Sequence, residues 1–176
     1  MEFVMRPIGE IHTPFIDKRD TPIQPSRSTA TGQVEVYPAY VAGLRDLEDF
    51  SHIILVYAFH RSLDYTLIVT PFLDDRERGL FATRYPARPN PIGLSIVRLL
   101  SIHGHILEIE GVDVLDGTPL LDIKPYVPDF DVRADVRTGW YATRSVQEKS
   151  RRLSDWRRSE TGQVKPATCL APSNAV

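Results

Sequence analysis

Apolar residues in this chain come in short runs broken by Gly, Pro, Asp and His, and the runs follow the two-residue period of strands more than a helical period. Residues 4–11, 32–36, 53–59, 66–69, 80–83, 95–102, 106–112 and 120–123 read as strands, most of them rich in β-branched or aromatic side chains. IILVYAF, residues 53–59, is uniformly apolar, which predicts a strand buried on both faces or set inside a closed barrel. HILEIEGVDV, residues 105–114, alternates, which predicts one wet face. Gly104 after His103 supplies a tight turn between two strands, and Asp116-Gly117 is a strong turn signal before the last one. Many short strands without alternating helices predict a mainly β fold: a single closed antiparallel β-barrel-like domain with short helices and a C-terminal helix.

Helical signal is confined to two places. Residues 40–50 read as a short helix and loop. Ser145 opens a second helix, with Glu148 three residues on as a capping box. Val146, Leu153 and Trp156 lie near one face of it, while Lys149, Arg151, Arg152, Arg157 and Arg158 make the remainder basic, either a solvated face or an RNA contact. Residues 161–176 lack apolar periodicity and read as a flexible tail. The expected organisation is a barrel domain over 1–144, a basic helix over 145–160 and that tail.

Composition bounds this picture. With 176 residues, 42% apolar and 25% charged, the chain suits one soluble domain with an adequate core. A net charge of −2 excludes bulk attraction as the main source of nucleic-acid affinity, so any RNA contact rests on a local basic patch. Cys169 is the only cysteine, so no internal disulfide or cysteine-based metal cluster is expected, and a reducing cytoplasm is the expected compartment. No run of 18 uncharged apolar residues occurs, so neither a signal peptide nor a membrane span is expected.

The densest candidate chemistry is GLFATRYPARPNPIGLS, residues 79–95. Pro86, Pro89 and Pro91 fix their own φ and push Tyr85, Arg88 and Asn90 out of the helical region, so the segment is extended or turned. Arg84 and Arg88 are therefore not neighbours on a helix, and at roughly 3.3–3.6 Å per residue they lie up to about 14 Å apart. No Asp or Glu stands between Arg84 and Arg98, so anionic or electron-rich ligands complement the loop. The alternative is a rigid surface loop with solvated arginines.

Other positions read two ways as well. His60 ends the apolar strand and precedes Arg61, which fits a functional side chain on a rigid support or a hydrogen-bonded core histidine. Asp116-Gly117-Thr118-Pro119 is a hairpin turn by default; its amides, Asp and Thr also suit a ligand hydroxyl or amine. Residues 17–31 form a long polar loop holding Pro22-Ile23-Gln24-Pro25 and the Ser26-Arg27-Ser28-Thr29 cluster, which suits phosphate or solvent. His103 and His105 lack an evident third partner for a metal and read as a surface turn; no metal is expected. GxSxG, the P-loop, GxGxxG and HExxH are all missing.

Taken together, IGEIHTPF, FSHIILVYAFHRS, RGLFATRYPARPNPIGLS and DVLDGTPLLDIKPYVP resemble the TsaA-like family, also called TrmO, YaeB or VirR-like, over about residues 8–140. The resemblance implies a β-barrel that binds S-adenosylmethionine, a homodimer with cofactor sites near the subunit interface, and tRNA as partner. It implies transfer of a methyl group to N6 of threonylcarbamoyladenosine beside the anticodon. Cofactor contacts carried over by motif are Pro22, Ile23, Gln24, His60, Arg61, Arg84, Leu94, Asp116, Gly117, Thr118 and Pro119. Ile23 stands where the family frequently has arginine, and Arg61 where it frequently has glutamine. Arg88 and Asn90 are then the positions expected to face the substrate carboxylate or adjacent RNA. No residue is singled out as a catalytic base. A non-catalytic cofactor- or RNA-binding module, and a methyltransferase for another acceptor, share the same features.

Overall fold

The computed structural model describes residues 4–143 except 23, 25, 27 and 63. Six strands close an antiparallel barrel: β1 (Gly9–His12), β2 (Thr31–Val36), β3 (His52–Ala58), β6 (Ile92–His103), β7 (Ile106–Glu110) and β8 (Thr118–Pro125). Their order round the barrel is β1-β2-β7-β6-β3-β8, so β8 closes it between β1 and β3. A separate two-stranded ribbon pairs β4 (Ile68–Val69) with β5 (Arg78–Gly79). The compact unit holding the barrel ends at Ala134, and the boundary expected at 144 falls within a second unit beginning at Asp135. The described part of that second unit is a 3₁₀ turn, Gly139–Thr143, in which the Trp140 and Tyr141 rings meet edge to face.

Strand alternation builds the core. Ile11, Val34, Val36, Ile53, Leu55, Tyr57, Val97, Leu99, Leu107, Ile109 and Leu120 point inward and are buried. IILVYAF is thus a barrel strand with one fully buried face, while Ile54 and Val56 on its outer face are half-buried. HILEIEG alternates as its pattern predicts. Gly104 takes φ of 64° at the first position of the two-residue connection between β6 and β7, where a side chain would be strained. The Leu99/Ser101 and Val56/Tyr57 register shifts bend the sheet where it curls shut.

Several expected elements differ. The strand expected at 4–11 begins only at Gly9, because Pro7 has no N–H for the ladder. Residues 80–83, expected as a strand, form a 3₁₀ turn at Leu80–Ala82, with Thr83 N and Oγ1 both donating to Leu80 O. A buried Leu80 beside a solvent-facing Phe81 mimics alternation over too short a run. The helix expected at 40–50 is two 3₁₀ turns, Pro38–Leu44 and Leu47–Asp49, separated by Asp46 in the left-handed region. The expected helix at 145–160 and tail at 161–176 lie outside the described residues.

Candidate functional site

Antiparallel pairing sends three of the barrel's connections to one end. Residues 13–30 leave β1 at His12, residues 59–91 leave β3 at Ala58, and residues 111–117 leave β7 at Glu110. The register places these strand ends together, since Ile11 pairs with Thr118, Thr31 with Glu110 and Ala58 with Ile92. Every described position expected to contact cofactor or substrate lies in these segments or at the strand ends that frame them. The opposite end holds the 3₁₀ turns Pro38–Leu44 and Leu47–Asp49 and the Gly104–His105 connection.

Within this mouth the structure joins segments far apart in sequence. Arg84 Nη1 donates to Gln24 Oε1 at 3.3 Å, and Arg61 Nη1 donates to Ile16 O at 3.2 Å. Pro22 is half-buried in the same loop, and Ile23 lies outside the described residues. His60 is exposed one residue beyond Phe59, its backbone N–H bonded to Ala58 O; partial desolvation and the Arg61 charge hold its imidazole below the usual range. Leu94 points out of β6 and is 54% exposed.

The arginine loop is held by its own side chains. Arg88 Nη1 donates to Thr83 O at 3.0 Å and Tyr85 O at 3.3 Å, and its guanidinium lies 5.7 Å from the Phe81 ring centroid. The Nε–Nη2 edge of Arg88 makes no hydrogen bond among the described residues. Asn90 is exposed, and its carbonyl accepts the Ile92 amide.

The DGTP segment is a turn whose donors are already engaged. Asp116 N donates to Phe15 O, Gly117 N donates to Ile11 O, and Thr118 Oγ1 donates to Leu115 O at 2.6 Å. Asp116 Oδ1 accepts from Thr13 N at 3.0 Å and lies 3.6 Å from His12 Nδ1. The turn amides are therefore not the free ligand donors that the sequence allowed. What Asp116 through Pro119 offer a ligand is carbonyl and carboxylate oxygen. His103 and His105 sit exposed at the far end as a surface turn. Among the described residues no group of three or more His, Cys, Asp or Glu is arranged to hold a metal ion, and no helix is long and apolar enough to cross a membrane.

One polar group escaped the sequence reading. Tyr57, Ser95 and Asp113 form a hydrogen-bonded chain at the mouth, with Tyr57 OH 2.9 Å from Ser95 Oγ and Ser95 Oγ 2.6 Å from Asp113 Oδ1. Ser95 shares the inward parity of Val97 and Leu99, so a hydroxyl at a core position was the available signal. Gly93 makes the arrangement possible, because a Cβ there would overlap the Tyr57 ring and touch Phe59. Fold and site thus define a small closed β-barrel whose candidate binding groups converge in loops at one mouth.

The description "tRNA-methyltransferase O N-terminal domain" belongs to the family model matching residues 10–132, and this chain belongs to that family. A probable S-adenosyl-L-methionine-binding protein of Pyrococcus abyssi is 59% identical over 136 residues, covering 77% of this chain and 74% of that protein. The mouse tRNA (adenine(37)-N6)-methyltransferase is 39% identical over 133 residues, covering 71% of this chain and 31% of its own length. A crystal structure of TrmO from Pseudomonas aeruginosa superposes with a TM-score of 0.70 at 40% identity, covering 82% of this chain and 65% of that one. The chain thus spans about a third of the mouse protein and about two thirds of the solved one.

Proposed function

We propose that this protein is an S-adenosylmethionine-dependent tRNA methyltransferase acting on N6 of adenosine, with threonylcarbamoyladenosine beside the anticodon as the substrate. The observation that carries the reading is the Arg84–Gln24 contact. It ties the two longest connections together at the mouth where the other described carried-over positions gather.

The residues present fit the cofactor's chemistry. Arg84 offers a guanidinium to an amino-acid carboxylate, Gln24 an amide, Leu94 an apolar surface, and Asp116 through Pro119 acceptors for amine or hydroxyl groups. When bound, S-adenosylmethionine supplies an electrophilic methyl group on a sulfonium, so no covalent nucleophile is asked of the protein. What the chain contributes is alignment of acceptor nitrogen and donor, by loops that the barrel strands anchor at one mouth. Arg88 anchors the loop with Nη1 and turns its Nε–Nη2 edge to the substrate carboxylate, with Asn90 beside it.

The outer face of β3 and β6 supports a homodimer. Leu94, Ile96 and Leu100 are 54%, 41% and 47% exposed, and Val56 and Ile54 lie across from Leu94 and Ile96. Leu94 belongs both to this face and to the expected cofactor contacts, which supports a cofactor site near the subunit boundary. A tRNA acceptor and a single cysteine fit the cytoplasm.

Labelled S-adenosylmethionine incubated with tRNA from a strain lacking this protein tests the reading. Label is expected in the N6-methyl derivative of threonylcarbamoyladenosine. Equal labelling of tRNA lacking that modification would sink the substrate assignment, and cofactor retention without transfer would leave a binding module.

A further inference from the structure

Asp113 is a charged group at the mouth that the assignment above leaves without a task. Its Oδ1 accepts from Ser95 at 2.6 Å, and Ser95, having one hydroxyl hydrogen, must accept from Tyr57. Tyr57 and Ser95 are 3% and 2% exposed, so this end of the chain is sealed in the barrel. Asp113 itself is half-buried, on a backbone pinned where Gly111 N and Val112 N both donate to Ala30 O. Its carboxylate also accepts from its own backbone N–H. The ionisable groups facing it are Tyr57 from β3 and Arg84 from the arginine loop, and Arg84 is the residue bonded to Gln24.

We infer that Asp113 is the proton acceptor for the nitrogen being methylated, with Ser95 and Tyr57 as the residues that position it. The inference rests on the methyltransferase reading above. An exocyclic nitrogen conjugated to an adenine ring is weakly basic, so its attack is helped by withdrawing its proton. The nitrogen's electron pair forms the new N–C bond, the S–C bond breaks with its pair going to sulfur, and the N–H proton passes to the Asp113 carboxylate and on to solvent.

The surroundings suit that task. Burial lifts the Asp113 carboxyl from 3.8 to about 6 against the lowering pull of Ser95, its own backbone N–H and Arg84, so at neutral pH it is ionised yet basic enough to accept a proton. Burial, and then the Asp113 charge, push the Tyr57 phenol up, which keeps it a neutral donor. His60 is the rival base, but no hydrogen bond to its ring orients it among the described residues.

The test uses the full chain carrying ¹³C-labelled aspartate. In wild type one carboxyl is expected to titrate near pH 6 without cofactor, and Asp113→Asn should remove that resonance. Asp113→Asn is expected to slow single-turnover transfer to tRNA by about 10²–10⁴-fold and flatten its pH profile, while cofactor Kd changes less than about threefold. Ser95→Ala should move the pH profile upward, and Asp113→Glu should restore part of the rate, which keeps the test open if the Asn variant folds poorly. A full rate in Asp113→Asn, or a pH profile abolished by His60→Gln instead, would overturn the assignment. So would a weaker cofactor Kd with a normal rate at saturation, which would make Asp113 a cofactor contact. Absence of transfer by the wild-type chain would instead sink the methyltransferase reading and this inference with it.

Discussion

At one end of the barrel the chain turns back through 3₁₀ turns that bury Leu44 and Leu47 and through Gly104–His105, which links β6 to β7 directly. A cavity of about 420 Å³ there has apolar walls at Ile8, Val36, Leu47 and Ile123 and charged ones at Arg45, Asp46 and Asp122. At the other end the connections are long and polar, and their side chains bond across segments to Gln24, Ile16 and Asp113. The closed sheet separates the two tasks. Apolar packing at the base supplies stability, and the mouth is free to hold charged groups in places that folding alone would not favour.

Leu107→Ala, deep towards the base, is expected to lower stability by about 2–5 kcal/mol while each folded molecule keeps its cofactor affinity. Chemical denaturation beside a binding isotherm checks this, and a parallel loss of affinity would break the separation. Arg84→Ala should do the reverse, removing about 1.5–3 kcal/mol of cofactor binding with little change in melting temperature. Gly93→Ala crosses the boundary: displacing the Tyr57 ring should cost about 1–3 kcal/mol of stability and also detach Ser95 from its donor. Calorimetry together with the transfer rate would read both effects, and a loss confined to stability would return Tyr57 to the core.

The smallest effect concerns pH. Because the fold raises the Asp113 carboxyl from 3.8 to about 6, the native state favours its protonated form. That contribution is complete below about 3.8 and is lost as pH rises through about 6. Wild type should therefore lose stability relative to Asp113→Asn between pH 4 and 7, by on the order of 1 kcal/mol once partial exposure is allowed for. Unfolding midpoints across that range check the sign.

Much of the barrel was legible because inward parity is a local property: Ile53, Leu55 and Tyr57, or Leu107 and Ile109, declare their face every second residue. Turn chemistry at Gly104 and Asp116-Gly117 was legible for the same reason. Strand order was not, since the pairing of β1 with β8 joins segments more than a hundred residues apart and depends on closure rather than on either strand. At the mouth, the arginines stood out as residue types, but whether Arg88 faces outward or bonds its own loop depends on where Thr83 O and Tyr85 O point. Ser95 and Asp113 were invisible as a pair because the rest of β6, the Gly104–His105 turn and β7 separate them in the chain.

The place of β8 has a consequence for how the molecule is made. Until residues 118–125 are available, the other five barrel strands form an open sheet whose edges are β1 and the uncharged, strongly apolar β3. An edge of that composition is a template for pairing with other chains. Closure by β8 occupies both edges at once and pairs residues more than a hundred positions apart, so folding is expected to be slow for the chain's size. During synthesis the chain is most exposed to aggregation in the interval between the appearance of β3 and that of β8.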